Sequence, residues 1–303
     1  YSEYSNRLYE RILELAPIVE RASIDEMYFD LTGCEVLYHN DLPGFIKILQ
    51  QIVWKEFHLP CTISLASNKP VAKIAAQTVK PAGVIYVPHG TERLFLAPLS
   101  IDVIPGVGKK TSEILRKKGF DIVADLQSIS KEKLQRILGK HGLWIHDVAN
   151  GLGAEELSTE HERKSIGNEE TFAHDIADHE ELHTILFSLS EEVCTSLRYR
   201  HLKARTFTLK LRYADFETIA RATTIEPTDD DGIVFKTMRD LLEASYTRRS
   251  AVRLLGVRAS HLIDEHQLEL SLFPEDRKRS NMLDAVDKIR KKFGADVIHV
   301  GGH

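Results

Sequence analysis

Ser23-Ile24-Asp25-Glu26, running into Met27-Tyr28-Phe29-Asp30-Leu31, is the stretch on which the reading of this chain turns. Met27, Phe29 and Leu31 alternate onto one face, the pattern of a half-buried strand, and Ile18 and Val19 supply an apolar strand before it. On a flat strand neighbouring side chains point to opposite faces, so Asp25 and Glu26 converge only where the chain bends, at a hairpin tip. Converging carboxylates repel one another unless a cation lies between them, and hard oxygen ligands suit Mg²⁺ or Mn²⁺. An isolated Asp-Glu pair is more often an ordinary acidic turn, so its meaning depends on the rest of the chain.

Working outward, residues 3–15 have helical apolar spacing (Leu8, Ile12, Leu15) and stop at Pro17. A helix is expected near 42–57 and a strand near 61–66. Ser67-Asn68-Lys69-Pro70 then reads as a polar turn entering a helix with proline in its first turn. Lys80-Pro81-Ala82-Gly83 closes that helix. Lys69 and Lys73 lie one helical turn apart, with Lys80 at the turn beyond, and lysine is a hydrated point charge suited to a triphosphate. A solvated basic face is the plain alternative, but carboxylates beside phosphate-binding lysines are the parts of nucleotidyl transfer.

Residues 98–150 read as short helices split by glycines. Within them, Ile104-Pro105-Gly106-Val107-Gly108-Lys109-Lys110-Thr111 places two glycines at a tight turn before a helix. That geometry aims backbone N–H groups at an anion, and Lys109, Lys110, Arg116, Lys117 and Lys118 add charge. It reads as a helix-hairpin-helix that grips the DNA backbone through Gly106, Gly108, Lys109 and Lys110.

Past a polar linker at 154–164, alternation predicts strand 165–173, helix 180–199, strands 204–213 and 217–225, helix 231–246 and strand 252–262. This βαββαβ order is the ferredoxin-like pattern. In strand 204–213, Phe207, Leu209 and Leu211 share one face. Thr206, Thr208, Lys210 and Arg212 share the other, where Arg221 and Arg258 on neighbouring strands are expected to join them along a phosphate backbone. His174, His179 and His183 cluster, the last two at i, i+4, but without a third ligand they read as a solvated helix start. Gln267-Leu268-Glu269-Leu270-Ser271-Leu272-Phe273 alternates like an edge strand, but it follows the last predicted strand and precedes the charged tail. As an exposed apolar peptide with a leading Gln it could instead dock into a partner's groove. A charged tail with one more helix follows.

With 303 residues, 43% hydrophobic and 28% charged, the chain has room for two or three domains with real cores. Nothing approaches the ~20 apolar residues of a membrane span, and no signal peptide opens the chain. Three scattered cysteines, Cys34, Cys61 and Cys194, favour a reducing compartment over a disulfide or zinc-cysteine framework. The net charge of −5 does not advertise nucleic acid, although a net value hides patches.

As a set these motifs resemble the Y-family translesion DNA polymerases of the DinB type, in the UmuC/ImpB/MucB/SamB group. The residues carrying the likeness are Tyr4-Ser5, Ser23-Ile24-Asp25-Glu26, Asn68-Lys69 with Ala72-Lys73-Ile74-Ala75, and Lys80-Pro81 with Gly83. Ile104-Pro105-Gly106-Val107-Gly108 and Lys164-Ser165-Ile166-Gly167 complete the set. The resemblance implies an α+β multidomain fold: a partial palm (1–97), an all-α helix-hairpin-helix thumb (98–153), a linker (154–164), a ferredoxin-like little finger (165–263) and a C-terminal helical tail (264–303). It implies DNA-directed DNA synthesis past damaged bases, with Asp25 and Glu26 as catalytic metal ligands for two Mg²⁺ ions (or Mn²⁺) and Lys80 on the incoming nucleotide. DNA contacts would come from Gly106, Gly108, Lys109, Lys110, Ser165, Lys210, Arg212, Arg221 and Arg258. The implied partners are primer-template DNA, a dNTP, and a sliding clamp bound through Gln267, Leu268, Leu270, Leu272 and Phe273. A monomer in the bacterial cytoplasm, associated with the nucleoid, is expected.

Two departures stand out. The family opens with a strand bearing another metal-binding Asp, a steric-gate aromatic and a fingers domain, and none of these precedes Tyr1. The fragment is therefore expected to be inactive alone. Ser64 stands where the family usually has Gly, and Ala220 and Ala222 stand where it often has hydroxyl residues. The competing readings are a non-catalytic DNA-binding scaffold that keeps the thumb and little finger, and a metal-dependent nuclease.

Overall fold

The computed structural model describes residues 1–159, 163–248, 250–267, 274–294 and 297–298, and separates into two compact units, Tyr1–His161 and Glu162–His303. The first unit opens with helix α1 (Ser2–Leu13), hairpin strands β1 (Ile18–Arg21) and β2 (Met27–Asp30), and helix α2 (Leu42–Phe57). Strand β3 (Ile63–Leu65), helix α3 (Lys69–Thr78), strand β4 (Val84–Tyr86) and the short helix α4 (Glu92–Leu96) follow. Helices α5 (Lys109–Arg116), α6 (Val123–Gln127), α7 (Lys131–Leu138) and α8 (Lys140–Ala149) complete it.

Local chemistry sets these boundaries. Asp41 caps α2 by accepting from the Gly44 N–H at 2.8 Å, with Pro43 in the first turn, and His58 ends the helix in the left-handed region at φ 54°. Asn68 caps α3 in the same way, accepting from the Val71 N–H at 3.1 Å. β1 and β2 pair antiparallel, while β3 and β4 pair parallel in a separate two-stranded sheet. One core, built from Ile12, Val19, Leu31, Ile46 and Leu49, lies under the hairpin and α2. A second joins Val71 and Ile74 of α3 to Leu96, Ile101, Leu115, Leu134 and Ile145. This second core draws on residues from both sides of position 97.

The second unit has strand β5 (Ser165–Ile176), helix α9 (His179–Arg198), strands β6 (Leu202–Tyr213) and β7 (Thr218–Thr228), helix α10 (Asp231–Ser245), strand β8 (Val252–Asp264) and helix α11 (Pro274–Phe293). The expected βαββαβ order is present. Its sheet runs β5-β8-β6-β7 with every pairing antiparallel, so each βαβ unit is split by a strand of the other. Phe207, Leu209 and Leu211 of β6 meet Leu186 and Val193 of α9 and Val234, Met238 and Leu242 of α10 in one core. The charged tail is not simply solvated. Leu283 and Val286 of α11 are buried, Arg198 donates to Asp287 at 2.6 Å and to Asp231 at 2.7 Å, and Arg290 pairs with Glu191.

Candidate active site and nucleic-acid interface

The hairpin places Asp25 and Glu26 in a five-residue loop between paired Arg21 and Met27, closed by Ala22 and Ser23 N–H groups donating to the Glu26 carbonyl at 3.0 and 3.1 Å. Asp25 is exposed and accepts from the Ser23 hydroxyl at 2.5 Å, which holds its carboxyl below the usual aspartate range. Partial burial works against ionising Glu26. The Lys73 ammonium, 2.6 Å from both of its oxygens, and the Tyr28 hydroxyl at 2.8 Å more than offset that, so its pKa is lowered. Lys69 meanwhile bonds buried Glu20 at 2.8 Å. Two of the three lysines that the sequence groups as a phosphate cluster are thus held by carboxylates of the β-hairpin.

Lys80 is exposed, has no ion pair among the described residues, and acts electrostatically on Asp25. Asp25, Glu26, Lys69, Lys73 and Lys80 line one cleft in the first unit, so the structure brings the predicted acids and the predicted triphosphate lysine together. Ser64 donates to the Ala72 carbonyl at 2.7 Å and ties β3 to α3.

The donor chemistry fits a hard divalent ion, since both groups offer ionised oxygens. The ligand count is low: among the described residues no further His, Cys, Asp or Glu gathers with this pair. Mg²⁺ commonly accepts one or two carboxylates and fills its octahedron with water and substrate phosphates, so the pair fits as part of such a shell. Glu26 would have to exchange Lys73 for the ion.

In the helical part, Gly106 adopts φ +86°, and a Cβ there would lie 2.8 Å from the His141 ring, so this turn needs glycine. Gly108 caps α5, and Lys109 and Lys110 are exposed in its first turn, where the helix N-terminus presents unpaired N–H groups. Arg116 does not extend this patch: it bonds Asp102 at 2.7 Å and Asp121 at 2.8 Å. His141 and Trp144 stack with ring centroids 5.7 Å apart beside the Gly106 turn, a flank that sequence spacing does not single out.

On the second unit's open sheet face, Thr208 lies opposite Arg258, and Lys210 opposite Gly256. Arg258 donates to Ser165 at 2.9 Å, Arg212 donates to Thr218 at 2.9 Å, and Lys210 is held by Glu169 at 2.6 Å. Arg221 departs from the expectation. It pairs with Leu209, on the helix-covered side, while Ala220 and Ala222 lie opposite Lys210 and Thr208. The cause is the period of two: Ile219 and Ile225 must pack on the core, and Arg221 shares their parity. It stays exposed because β7 is the sheet edge.

Gln267 is exposed at the end of a short 3₁₀ turn after β8, whereas Leu268, Leu270, Leu272 and Phe273 lie outside the described residues. Other partners have little sequence signal. Asn68 donates to the Gly151 carbonyl at 2.8 Å, the Lys69 N–H to the Ala154 carbonyl at 3.2 Å, and the Ser158 N–H to Glu20 at 2.8 Å. The first part of the expected linker is therefore fastened to α3 and β1.

Residues 1–77 match the sequence profile described as the impB/mucB/samB family, residues 163–272 that of its C-terminal domain, and residues 102–152 that of the DNA polymerase-iota thumb domain. DNA polymerase IV of Dehalococcoides mccartyi (strain BAV1) is 34% identical over 305 residues, covering 99% of this chain and 77% of the relative. DNA polymerase IV of Opitutus terrae is 32% identical over 306 residues, covering 100% and 78%. Among solved structures, the Y-family DNA polymerase chimera Dbh-Dpo4(243-245)-Dbh aligns with TM-score 0.76 at 25% identity, covering 87% of this chain and 76% of that one. The class is therefore that of the DNA-directed DNA polymerases, which are nucleotidyltransferases. Within it, the chain belongs to the DinB-like Y family.

Proposed function

We propose that this chain carries the acidic hairpin, the triphosphate lysine and the DNA grips of a translesion polymerase. The observation that supports this most directly is the single cleft lined by Asp25, Glu26 and Lys80. Asp25 and Glu26 would hold two Mg²⁺ ions (or Mn²⁺), which supply activation of the primer hydroxyl and neutralisation of the leaving pyrophosphate. Lys80 orients the incoming dNTP through its phosphates. Residues 1–97, 98–153 and 165–263 serve as palm, thumb and little finger. Gly106, Gly108, Lys109 and Lys110 of the thumb, and Ser165, Lys210, Arg212 and Arg258 of the little finger, hold primer-template phosphates without reading bases. Arg221 contributes at most from the sheet edge.

Primer extension past an abasic template by the full-length protein tests the reading. Asp25→Ala and Glu26→Ala should each abolish extension while DNA affinity stays within about twofold of the parent. Undiminished extension in either variant refutes the catalytic role, and absence of extension in the parent favours a DNA-binding scaffold instead. Among the described residues no helix is long and apolar enough to cross a membrane, and a cytoplasmic monomer is the setting proposed by analogy with the bacterial relatives. Docking of Gln267–Phe273 into a sliding clamp is proposed on the sequence pattern alone. Titration of a 265–275 peptide against the clamp checks it, and no binding at high micromolar concentration rejects it.

A further inference from the structure

His179 and His183 lie one turn apart at the start of α9, and the fold brings Glu243, in the last turn of α10, against both. Glu243 Oε1 is 2.8 Å from His183 Nε2 and 3.5 Å from His179 Nδ1, and all three candidate donor atoms lie within 4.8 Å of one another. His174, which the sequence groups with this pair, is not part of the cluster.

We propose that His179, His183 and Glu243 form a site for a borderline divalent transition-metal ion, with Zn²⁺ the natural occupant. Zinc binds imidazole nitrogen and carboxylate oxygen at about 2.0–2.2 Å, so neighbouring ligand atoms of a tetrahedral shell are separated by about 3.3–3.5 Å. The Glu243–His179 separation of 3.5 Å already matches that edge, and the Glu243–His183 hydrogen bond of 2.8 Å would open to it on binding. The two imidazole donors lie within 4.8 Å of each other, and the His179 side chain is 50% exposed. Two neutral imidazoles and one carboxylate leave a net charge of −1 to receive the dication. The C-terminal end of α10 faces the site with the cation-favouring end of its dipole, while Asp178, Glu180 and Glu181 offset the opposite end of α9. The ring of Tyr246, with its centroid 5.0 Å from that of His179, walls one side of the cluster.

This donor set separates the site from the acidic hairpin. Nitrogen ligands disfavour Mg²⁺, so an excess of that ion should not compete. An ion here would staple the first turn of α9 to the last turn of α10, on the helical side of the sheet.

The test uses untagged full-length protein stripped with chelator. Co²⁺ titration should give the visible absorption of a low-coordinate site, and Zn²⁺ calorimetry in excess Mg²⁺ should show one equivalent bound at micromolar concentration. His183→Ala and Glu243→Gln should each weaken binding by more than about tenfold, because loss of a ligand costs at least as much as loss of its supporting partner. His179→Ala should do the same, and its exposed position keeps folding out of the comparison. His201→Ala, in the cluster of His201, Glu265 and His266, should leave this binding unchanged. No saturable uptake at micromolar metal, uptake undiminished in His183→Ala and Glu243→Gln, or uptake lost in His201→Ala would each overturn the proposal.

Discussion

Replacing Lys73 with methionine separates the two roles that the structure gives this side chain. Its ammonium sits 2.6 Å from both Glu26 oxygens, in a pair whose side chains are 46% and 35% exposed. Exposed ion pairs contribute about 0.2–1 kcal/mol, and in a unit of this size 1 kcal/mol moves Tm by about 2–4 °C. The variant should therefore melt no more than about 4 °C below the parent. The larger effect should be on ionisation. Lys73 holds the Glu26 pKa below its ordinary value against the opposing effect of burial, so removing the ammonium lets that pKa climb. A group with a depressed folded pKa is stabilising above its unfolded pKa and loses that contribution as pH falls through the folded one. The acid limb of primer extension should then move toward neutral pH in Lys73→Met, because less of Glu26 is ionised on the acid side once the ammonium is gone. Extension measured from pH 5 to 9, beside a thermal melt, reads both quantities. An unmoved acid limb with unchanged Tm would show that the pair neither tunes Glu26 nor holds the hairpin.

Lys80→Ala should raise the apparent KM for dNTP and leave primer-template affinity unchanged; a change in DNA affinity alone would make Lys80 a template contact. Duplex affinity should fall with salt, and Lys109→Ala with Lys110→Ala should lower the log–log slope by about 0.9 for each phosphate no longer neutralised, as read by fluorescence anisotropy. Burial raises the Asp231 carboxyl to about 6 from 3.8. The second unit should therefore gain from this group below pH 4 and lose that gain as pH rises through 6, by up to about 3 kcal/mol. Urea melts of Asp231→Asn across that range should show a correspondingly flatter profile.

The long strands of the second unit are legible because β6 alternates Phe207, Leu209 and Leu211 with polar residues over many positions, and the helices between strands carry clear caps such as Asp178 and Asp230. Val84–Tyr86 and Glu92–Leu96 are not, since three and five residues are too short for a period to declare itself. Asp25, Glu26 and Lys80 can be gathered from motif order. Their surroundings cannot, because Lys73 reaches Glu26 across 47 positions and Asn68 reaches Gly151 across 83. Arg221 shows the limit most clearly. Its charge suggests the open face, but the parity of Ile219 and Ile225 decides its side, and parity is fixed only once the strand register is known.

Lys210 and Glu169 reach each other across Gly256, where a Cβ would come within 2.8 Å of the Glu169 side chain; the missing methyl keeps a shallow trough in the sheet. In that trough Glu169 is an intramolecular counterion. A phosphate that takes Lys210 displaces a tethered carboxylate, and the set is left with one negative charge that a solution cation must answer. The cation shed by the duplex is then matched by a carboxylate left bare beside it, so Lys210 can fix the path of a strand while adding little to the salt sensitivity of binding.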